Sequence, residues 1–341
     1  MSGEEGRIVG KLPSRQLASI LGRAWLRRTP STVVGPSIGE DAAVVRLGLL
    51  DLVFHVDPIT EAGELAGRLA VIVASNDVAV TGARPRWLSL AYLVPPGSGT
   101  PLLERLVSDA EKAAGELGVE IVGGHTEFSP GLSKPVVVAA AVGVTCAGCS
   151  VPTGDAMPGD LILQVKPAAM EGTAILSTDF RRLLEERGVP SDVIERGARL
   201  ADNISVVREA VELAEARVVS SMHDPTEGGI LGGLVEMAVA SGTTISIFED
   251  KIIVRDETRV VSRALGVDFL KLISSGTLLA AVPRSRLNDA LEVLEDLKVE
   301  YSLIGEVVNR SSEPGVILFK STGEKQFHRD TPRDEISRFW S

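Results

Sequence analysis

A long helix of small apolar residues that carries an adjacent Asn and Asp is the feature that most constrains this chain. The helix is predicted over residues 64–83, and Asn76 and Asp77 lie in its second half. Such residues are unfavourable inside a helix because their side chains compete for backbone hydrogen bonds. A buried carboxylate is also costly unless it is paired or holds a metal. On this stretch alone two interpretations stay open: a solvent-facing pair on a half-buried helix, or a carboxylate directed at a cation in a cleft.

Composition limits the classes of function that the chain can serve. Its 341 residues suffice for two domains, and its net charge of -11 argues against a nucleic-acid partner held through phosphates. Neither an apolar signal segment nor a run of transmembrane length is present, so we expect a cytoplasmic protein without a membrane partner. Two cysteines, Cys146 and Cys149, cannot form a disulfide framework in a chain of this size. We expect them to be small apolar residues at a strand end, with a redox or intersubunit role left open.

The order of predicted elements indicates two domains that follow an N-terminal arm. The arm is assigned to residues 1–32, the N-terminal domain to 33–150 and the C-terminal domain to 151–341. The N-terminal domain is predicted as a mixed sheet covered on one side by helices. Strands are predicted over residues 42–45, 51–57, 87–94, 119–122, 135–145, 161–165, 243–248, 277–282, 301–306 and 315–319. Helices are predicted over residues 12–28, 64–83, 102–117, 173–187, 192–216, 226–240, 256–265 and 286–297.

Three local details of this assignment matter for the site. The strand over residues 135–145, rich in Val and Ala, is predicted to be buried. His125 and Glu127 are placed in a Gly-Gly turn after the short strand over 119–122. Thr226 is predicted as the N-cap of the helix that ends at residue 240, which would direct a positive helix end towards Asp224.

Four aspartates share a context: each lies within or just beyond an apolar element, with Gly, Thr, Asn or Pro nearby. They are Asp41, Asp57, Asp77 and Asp224. Carboxylates that converge on one site repel each other unless a cation intervenes, and magnesium, bound jointly by carboxylates and substrate phosphates, meets that need. Neither a P-loop nor a G-x-G-x-x-G motif occurs. The alternative, that the four are unrelated caps and turn residues, is the better interpretation for any one of them, but the set favours a metal site.

Five short motifs, in this order, resemble the superfamily of AIR synthase, hydrogenase maturation factor HypE, thiamine-monophosphate kinase and selenophosphate synthetase. The motifs cover residues 39–43, 57–60, 76–85, 123–126 and 223–229. Each is weak alone, but together they are specific. The last of them, and the Ser-Ser-Gly-Thr-Leu-Leu run over 274–279, most resemble HypE.

The resemblance implies an α/β (α+β) fold of two domains, which is PurM-like. The N-terminal mixed sheet would pair with that of a second subunit into a dimeric barrel, so a homodimer is expected. The C-terminal domain would be an α/β sandwich, with ATP in the cleft between the domains. The implied chemistry is ATP-dependent activation of an amide- or carbonyl-type oxygen, or phosphoryl transfer to a small acceptor.

The resemblance also implies roles for individual residues. Magnesium on the ATP phosphates would be held by Asp41, Asp57, Asp77 and Asp224, of which Asp77 and Asp224 are also assigned as catalytic. The same four residues are assigned to cofactor binding together with Asn76, Gly124, His125 and Thr126. His125 stands where HypE and thiamine-monophosphate kinase carry Asp, with Glu127 as an alternative ligand.

One departure from HypE bears on the acceptor. HypE ends in a cysteine that carries the carbamoyl group, whereas this sequence ends Arg338-Phe339-Trp340-Ser341. We therefore expect a small-molecule acceptor or a partner's cysteine, with a HypF-type maturation partner. The alternatives are an AIR-synthase-like or thiamine-monophosphate-kinase-like enzyme, or a non-catalytic nucleotide-binding maturation partner.

Overall fold

The computed structural model describes residues 10–12, 14–21 and 29–340, and the chain forms two units that each contain one sheet. The remainder of the predicted first helix, residues 22–28, lies outside the described residues. The helices are α1 (Ser14–Leu21), α2 (Ala66–Val80), α3 (Gly99–Leu117), α4 (Met170–Asp179), α5 (Arg181–Glu186), α6 (Ser191–Arg199), α7 (Val207–Glu215), α8 (Gly229–Ser241), α9 (Asp256–Leu265) and α10 (Leu287–Leu297). Among the described residues, none of the helices combines the length and apolar character that a membrane span requires.

The N-terminal unit is a mixed sheet with helices on one face, as the sequence predicts. Its strands are β1 (Thr32–Val34), β2 (Ala43–Leu47), β3 (Leu50–Ile59), β4 (Arg84–Val94), β5 (Glu120–Phe128) and β6 (Val136–Cys146). Their spatial order is β1-β2-β3-β6-β4-β5, and only β4 and β5 pair in parallel. Helices α2 and α3 pack on the inner face, where side chains of both helices and of the sheet form one core.

The C-terminal unit is a seven-stranded sheet with helices on both faces. Its strands are β7 (Leu161–Val165), β8 (Ser221–His223), β9 (Thr243–Phe248), β10 (Leu278–Val282), β11 (Tyr301–Arg310), β12 (Gly315–Phe319) and β13 (Lys325–His328), in the order β13-β12-β9-β11-β7-β10-β8. On one face Ile162 packs with side chains of α8, and on the other Leu163 packs with side chains of α7 and α10. The predicted two-domain α/β class is therefore confirmed, whereas closure of a barrel with a second subunit stays a prediction.

Helix α2 is buried along almost its whole length, which settles the question raised by Asn76 and Asp77. All of its residues except Arg68 are buried, and the exposed fractions of Asn76 and Asp77 are 0% and 5%. The solvent-facing interpretation is therefore wrong. Both side chains need partners inside the protein, because an unpaired buried polar group is costly.

Two predicted helices are each broken in the structure. The helix predicted over 173–187 ends at Asp179, and α5 begins after Phe180. The helix predicted over 192–216 is divided into α6 and α7 by residues 200–206, which include a 3₁₀ turn over Leu200–Asn203. In this second break the backbone bonds the side chain of Asn76 instead of continuing the helix. A tertiary contact thus overrides the local helical pattern.

The Gly-Gly turn predicted around His125 is instead part of strand β5. The parallel ladder with β4 continues from Glu120 to Phe128. A Cβ on Gly124 would lie 2.1 Å from the carbonyl oxygen of Leu90, so glycine is what allows the two strands to approach here. Strand β6 also differs from its prediction, because every second residue from Val136 to Val144 is only half-buried in the single chain.

The two cysteines are bonded to each other, which corrects the expectation of two free apolar residues. Cys146 ends β6, Cys149 follows a tight turn, and their Cα atoms are 5.3 Å apart. Since these are the chain's only cysteines, neither presents a free thiol in the structure. The predicted helix cap is wrong as well, since α8 is preceded by Gly228, with a φ of 85°, and the Thr226 hydroxyl accepts from Lys11 and makes no capping bond among the described residues.

Candidate active site

Asn76 ties the two units together at the centre of the molecule. Its amide nitrogen donates to the carbonyl of Ile204 at 3.1 Å and to Asp224 Oδ2 at 3.0 Å. Its Oδ1 accepts from the backbone N–H of Val206 at 2.9 Å. One buried side chain on α2 therefore fixes both the break between α6 and α7 and the carboxylate that follows β8.

Asp77 is paired with a histidine from the neighbouring strand. Side chains of β3 alternate between the two faces of the sheet, so His55 and Asp57 point towards α2 while Phe54 and Val56 point away. The Nε2 atom of His55 lies 3.1 Å from Asp77 Oδ2, and its Nδ1 donates to the carbonyl of Asp41 at 2.5 Å. Burial lowers the pKa of His55, but Asp77 and Asp57 outweigh this and leave it raised.

A second histidine holds Asp41 from the C-terminal unit. His223 Nδ1 lies 2.8 Å from Asp41 Oδ1, and its Nε2 lies 3.2 Å from Glu236 Oε2 on α8. Burial opposes the charge on this imidazole, yet Asp41 and Glu236 raise the pKa of His223 to about 10. The Oγ1 hydroxyl of Thr153 donates to Asp41 Oδ2 at 3.0 Å. Asp41 is thus held by the segment that joins the two units and by β8.

Contacts bring the four aspartates to one region: His55 contacts Asp77 and the carbonyl of Asp41, Asp57 lies on the same face of β3 as His55, and Asp224 bonds Asn76, the neighbour of Asp77. Burial raises the pKa of Asp77 to about 7 against the effect of His55, and Asp41 and Asp57 add to the rise. Burial also raises the pKa of Asp224 well above its ordinary value, with Asp77 as the next contribution. The pKa of Asp57 is raised by burial and then by Glu227. Carboxylates so placed stabilise a cation and are destabilised without one.

The fit of this site to magnesium can be judged from the oxygens that it leaves free. Asp224 Oδ1 is buried and has no hydrogen-bond partner among the described residues. Across residues 10–12, 14–21 and 29–340, however, no three His, Cys, Asp or Glu side chains are arranged as a ready-made metal site. The donors are the oxygen ligands that magnesium prefers, and the remaining positions suit water and phosphate oxygens.

A lysine from the N-terminal arm reaches the rim of the site. Lys11 Nζ donates to Thr226 Oγ1 at 2.7 Å and lies 3.2 Å from Glu227 Oε2 and 3.7 Å from Glu236 Oε1. Thr226, predicted as a helix cap, instead accepts this bond. The arm thereby places one positive charge beside an otherwise acidic cleft.

Three residues assigned to cofactor binding are not brought to this cluster. Gly124, His125 and Thr126 are exposed on β5, which is the edge strand of the N-terminal sheet. His125 Nε2 lies 3.2 Å from Glu127 Oε2, and among the described residues no contact joins this pair to the aspartates. Their assigned roles stay predictions.

Sequence reasoning missed the residues that hold the carboxylates in place. His55, His223 and Glu236 were not assigned to the site, and neither were the backbone groups of Ile204 and Val206. The alternation of β3 offered a signal for His55, since it places that side chain on the same face as Asp57. Glu236 carries the same signal as Asp77, since it is the single charged residue of the apolar helix α8, but its partner His223 is brought to it only in the folded chain.

Comparison with known proteins identifies the family. The model for the AIR synthase related protein, N-terminal domain, matches residues 39–145, and that for the C-terminal domain matches residues 157–317. A hydrogenase expression/formation protein of Methanocaldococcus jannaschii is 33% identical over 284 residues, covering 80% of this chain and 81% of that protein. The carbamoyl dehydratase HypE of Escherichia coli K12 is 28% identical over 291 residues, covering 81% and 83%.

Solved structures agree with the family match. A hydrogenase maturation protein HypE in complex with ATP superposes with a TM-score of 0.69 at 26% identity, covering 98% of this chain and 96% of that one. HypE in a HypE–HypF complex gives a TM-score of 0.68 at 26% identity, covering 86% and 93%. A ThiL protein complexed with AMPPCP and TMP gives 0.70 at 18% identity, covering 93% and 94%, which shows a shared fold alone. The resemblance drawn from the motifs is thus confirmed, and the chain belongs to the AIR synthase related protein family.

Proposed function

We propose that this protein is an ATP- and magnesium-dependent enzyme that activates an amide-type oxygen, as HypE-type carbamoyl dehydratases do, in hydrogenase maturation. The observation that carries the proposal is that contacts through His55, Asn76 and His223 bring Asp41, Asp57, Asp77 and Asp224 to the junction of the two units. A global charge of -11 repels a nucleotide, so a cation is needed to bring its phosphates to these acids. Relatives named carbamoyl dehydratase HypE and a HypE–ATP complex support the choice of chemistry.

Each residue of the site has a definite task in this proposal. Asp41, Asp57, Asp77 and Asp224 would hold magnesium, which when bound neutralises charge on the phosphates. Asn76 fixes Asp224 by direct hydrogen bonding, while His55 and His223 orient Asp77 and Asp41. The chain's own contribution to the reaction is therefore proposed to be positioning, since neither of its two cysteines presents a free thiol.

The acceptor is proposed to come from outside this chain. Both cysteines are engaged with each other, so neither can carry a carbamoyl group while that bond is intact. A small carboxamide, or a carbamoylated cysteine on a HypF-type partner, is the proposed acceptor, and the HypE–HypF complex supports a partner of that type. The roles proposed for Gly124, His125 and Thr126 depend on a partner subunit, because these residues lie on an exposed edge strand.

Acceptor-dependent ADP formation tests this proposal. The purified protein with magnesium and ATP would be incubated with S-methyl thiocarbamate, thiamine monophosphate or no acceptor, and ADP would be measured. We expect ADP with the thiocarbamate only. ADP with thiamine monophosphate would favour the kinase alternative, and binding of magnesium-ATP without turnover on either small acceptor or on a carbamoylated HypF-type partner would favour the non-catalytic alternative.

A further inference from the structure

The disulfide between Cys146 and Cys149 lies outside the aspartate site and has no part in the proposed function. Cys146 is the exposed last residue of β6, and Cys149 is half-buried. The bond spans only the two residues between them. In the loop-entropy account a disulfide stabilises a fold by closing a loop of the unfolded chain, and this effect is smallest for the shortest loops. A structural role therefore explains little of why the chain has this bond.

The turn keeps the two sulfurs close together without help from the bond. The backbone N–H of Cys149 donates to the carbonyl of Cys146 at 3.0 Å, and Gly148 has a φ of 80°, which favours glycine. The backbone N–H of Gly148 donates to Asp51 Oδ2 at 2.8 Å, and Arg46 Nη2 donates to the same oxygen at 3.1 Å. Reduction would leave these hydrogen bonds in place and two thiols side by side, ready to be oxidised again.

An arginine stands beside the half-buried sulfur. Arg217 Nη2 lies 3.9 Å from Cys149 Sγ. Arg217 follows the end of α7 with a φ of 55°, at a position where glycine is usual. A guanidinium stabilises a neighbouring thiolate, and a stabilised thiolate leaves faster when a disulfide is attacked. Cys149 is thus the better leaving group, and Cys146 the more accessible point of attack.

We propose that Cys146 and Cys149 are a redox-active pair that exchanges with an external protein dithiol. A thiolate of the dithiol attacks Cys146 Sγ, the bond between the two cysteines breaks, and Cys149 leaves with the electron pair beside Arg217. The second thiol of the dithiol loses its proton to solvent and attacks the partner's own sulfur in the mixed disulfide, which releases Cys146 as a thiolate. The pair thereby gains two electrons and takes up two protons, and the partner becomes a disulfide.

The pair lies at the end of the N-terminal sheet rather than at its centre. Cys146 pairs with Leu50, the first residue of β3. Since a strand rises about 3.3 Å per residue, Cys146 lies about 17 Å along β6 from Ala141, the middle residue of that strand. A second subunit packed on the middle of this face would leave the end of the strand open to a dithiol protein.

The exchange does not require the aspartate site to move. The backbone N–H of Val151 donates to the carbonyl of Thr81 at 2.9 Å, which anchors the chain again after Cys149. Only beyond this anchor does Thr153 reach Asp41. The inference is therefore independent of the proposed function, and the two can fail separately.

Reduction of the native protein by a dithiol protein tests the exchange. The oxidised protein would be mixed with thioredoxin, thioredoxin reductase and NADPH, without denaturant. We expect about one NADPH to be oxidised per chain, and acid quenching before completion should trap thioredoxin on Cys146 in peptide mass spectrometry. No NADPH oxidation until denaturant is added, a thioredoxin bond to Cys149, or two free thiols before any reductant is added would each overturn the inference.

Three variants test the role of the arginine. Arg217→Gln is expected to slow the reduction by about fivefold, and Arg217→Lys should restore the wild-type rate. Arg286→Gln is the matched control, because Arg286 Nη2 contacts the carbonyl of Ala216 while no contact joins it to a cysteine among the described residues. This control should react like the wild type. Equal rates for Arg217→Gln and the wild type, or equal slowing in Arg286→Gln, would overturn the inference.

The reduced protein provides the final check. Its circular dichroism spectrum should match that of the oxidised protein. Its affinity for magnesium and a non-hydrolysable ATP analogue should stay within about twofold, because the two sites are anchored separately. Unfolding on reduction would mark a structural bond and overturn the inference. A protein that is reduced as expected but binds no ATP analogue in either state would overturn the proposed function alone.

Discussion

The central strands of the two sheets differ in how many of their faces the single chain covers. In the N-terminal sheet, β3 and β6 bury alternate residues, so Phe54 and Val56 are exposed while Val53 is buried. In the C-terminal sheet, every residue of β7 and β10 is buried. Helices cover both faces of β7, whereas α2 and α3 cover only the inner face of the N-terminal sheet.

The difference shows that the C-terminal unit is complete in one chain and the N-terminal unit is not. The exposed large apolar side chains on the strands of the N-terminal sheet are Val33, Leu47, Leu50, Phe54, Val56, Trp87, Val122 and Phe128. Phe54 and Trp87 both lie opposite Val142 of β6, so apolar residues are contiguous across three strands. A surface of this kind marks an interaction site. Together with the family resemblance, it leads us to predict a homodimer formed through this face.

The largest expected effect follows from charging this face. Light scattering at micromolar concentration should give about twice the chain mass of 36.0 kDa for the wild type. Phe54→Lys should give the monomer mass, because a buried unpaired charge costs several kcal/mol at an interface. Phe248→Lys is the matched control, since Phe248 is 42% exposed on the C-terminal sheet and Phe54 is 41% exposed. A monomeric wild type, or a dimeric Phe54→Lys, would contradict the comparison.

The next largest effect is a difference in the free energy of unfolding lost when one leucine in each sheet is replaced by alanine. Leu163→Ala on β7 removes a fully buried side chain and should lower the free energy of unfolding by about 3 kcal/mol. Leu50→Ala on β3 removes a side chain that is 46% exposed and should cost less than about 1 kcal/mol. Both would be measured by urea unfolding in the monomeric Phe54→Lys background. Equal losses in the free energy of unfolding for the two variants would show that both sheets are covered equally in one chain.

Local patterns in the sequence predicted most elements because those elements obey local rules. Helix α2 and strand β7 are predicted from continuous apolar runs and helix α9 from apolar periodicity, and all three lie where the sequence places them. The alternation of β3 likewise predicts a strand with one solvated face. The apolar pattern of a strand does not show whether its faces are covered by the same chain or by a partner. For this reason the apolar run of β6 was predicted to be buried, although the single chain leaves one of its faces half-buried.

The parts that sequence reasoning missed depend on contacts between distant segments. The break after α6 forms because Ile204 and Val206 bond a side chain from α2, about 130 residues earlier. Strand β5 runs through Gly124 because β4 offers a parallel edge. His223 reaches Asp41 across 182 positions. The four aspartates were found because carboxylates are conspicuous in apolar sequence, whereas His55, His223 and the backbone groups of Ile204 and Val206 are ordinary in their local context.

A smaller effect, on the affinity for magnesium-ATP, is expected for a substitution in helix α2 on the inner face of the N-terminal unit. Asp77→Asn keeps the shape of the side chain but removes a charge from the proposed metal site. Its affinity for magnesium-ATP should fall by about 100-fold, or about 2.7 kcal/mol, in calorimetric titration. Urea unfolding should show no loss of stability, because the burial that raises the pKa of Asp77 makes its charged form unfavourable. The control variant Asn76→Ala breaks the bonds to Ile204 and Val206 and should lower the free energy of unfolding. An unchanged affinity of Asp77→Asn for magnesium-ATP would show that Asp77 is not part of the metal site.

The smallest expected effect concerns Glu171, at the junction where the two units meet. Its pKa is raised from 4.5 in the unfolded chain to about 8, first by burial and then by Glu227, Asp334 and Asp57. The folded state therefore binds the proton more tightly, and the stability that this proton provides is present below pH 4.5 and lost as the pH rises through 8. Glu171→Gln mimics the protonated side chain, so the variant and the wild type should be about equally stable at pH 4, below the pKa of 4.5 in the unfolded chain. At pH 8 the variant should be more stable by about 2 kcal/mol, roughly half of what the full shift would give, since buried acids relax when they ionise. Urea unfolding at both pH values measures the difference. A constant difference between the two pH values would show that Glu171 ionises as readily in the folded chain as in the unfolded one, and hence that the junction is not closed to solvent.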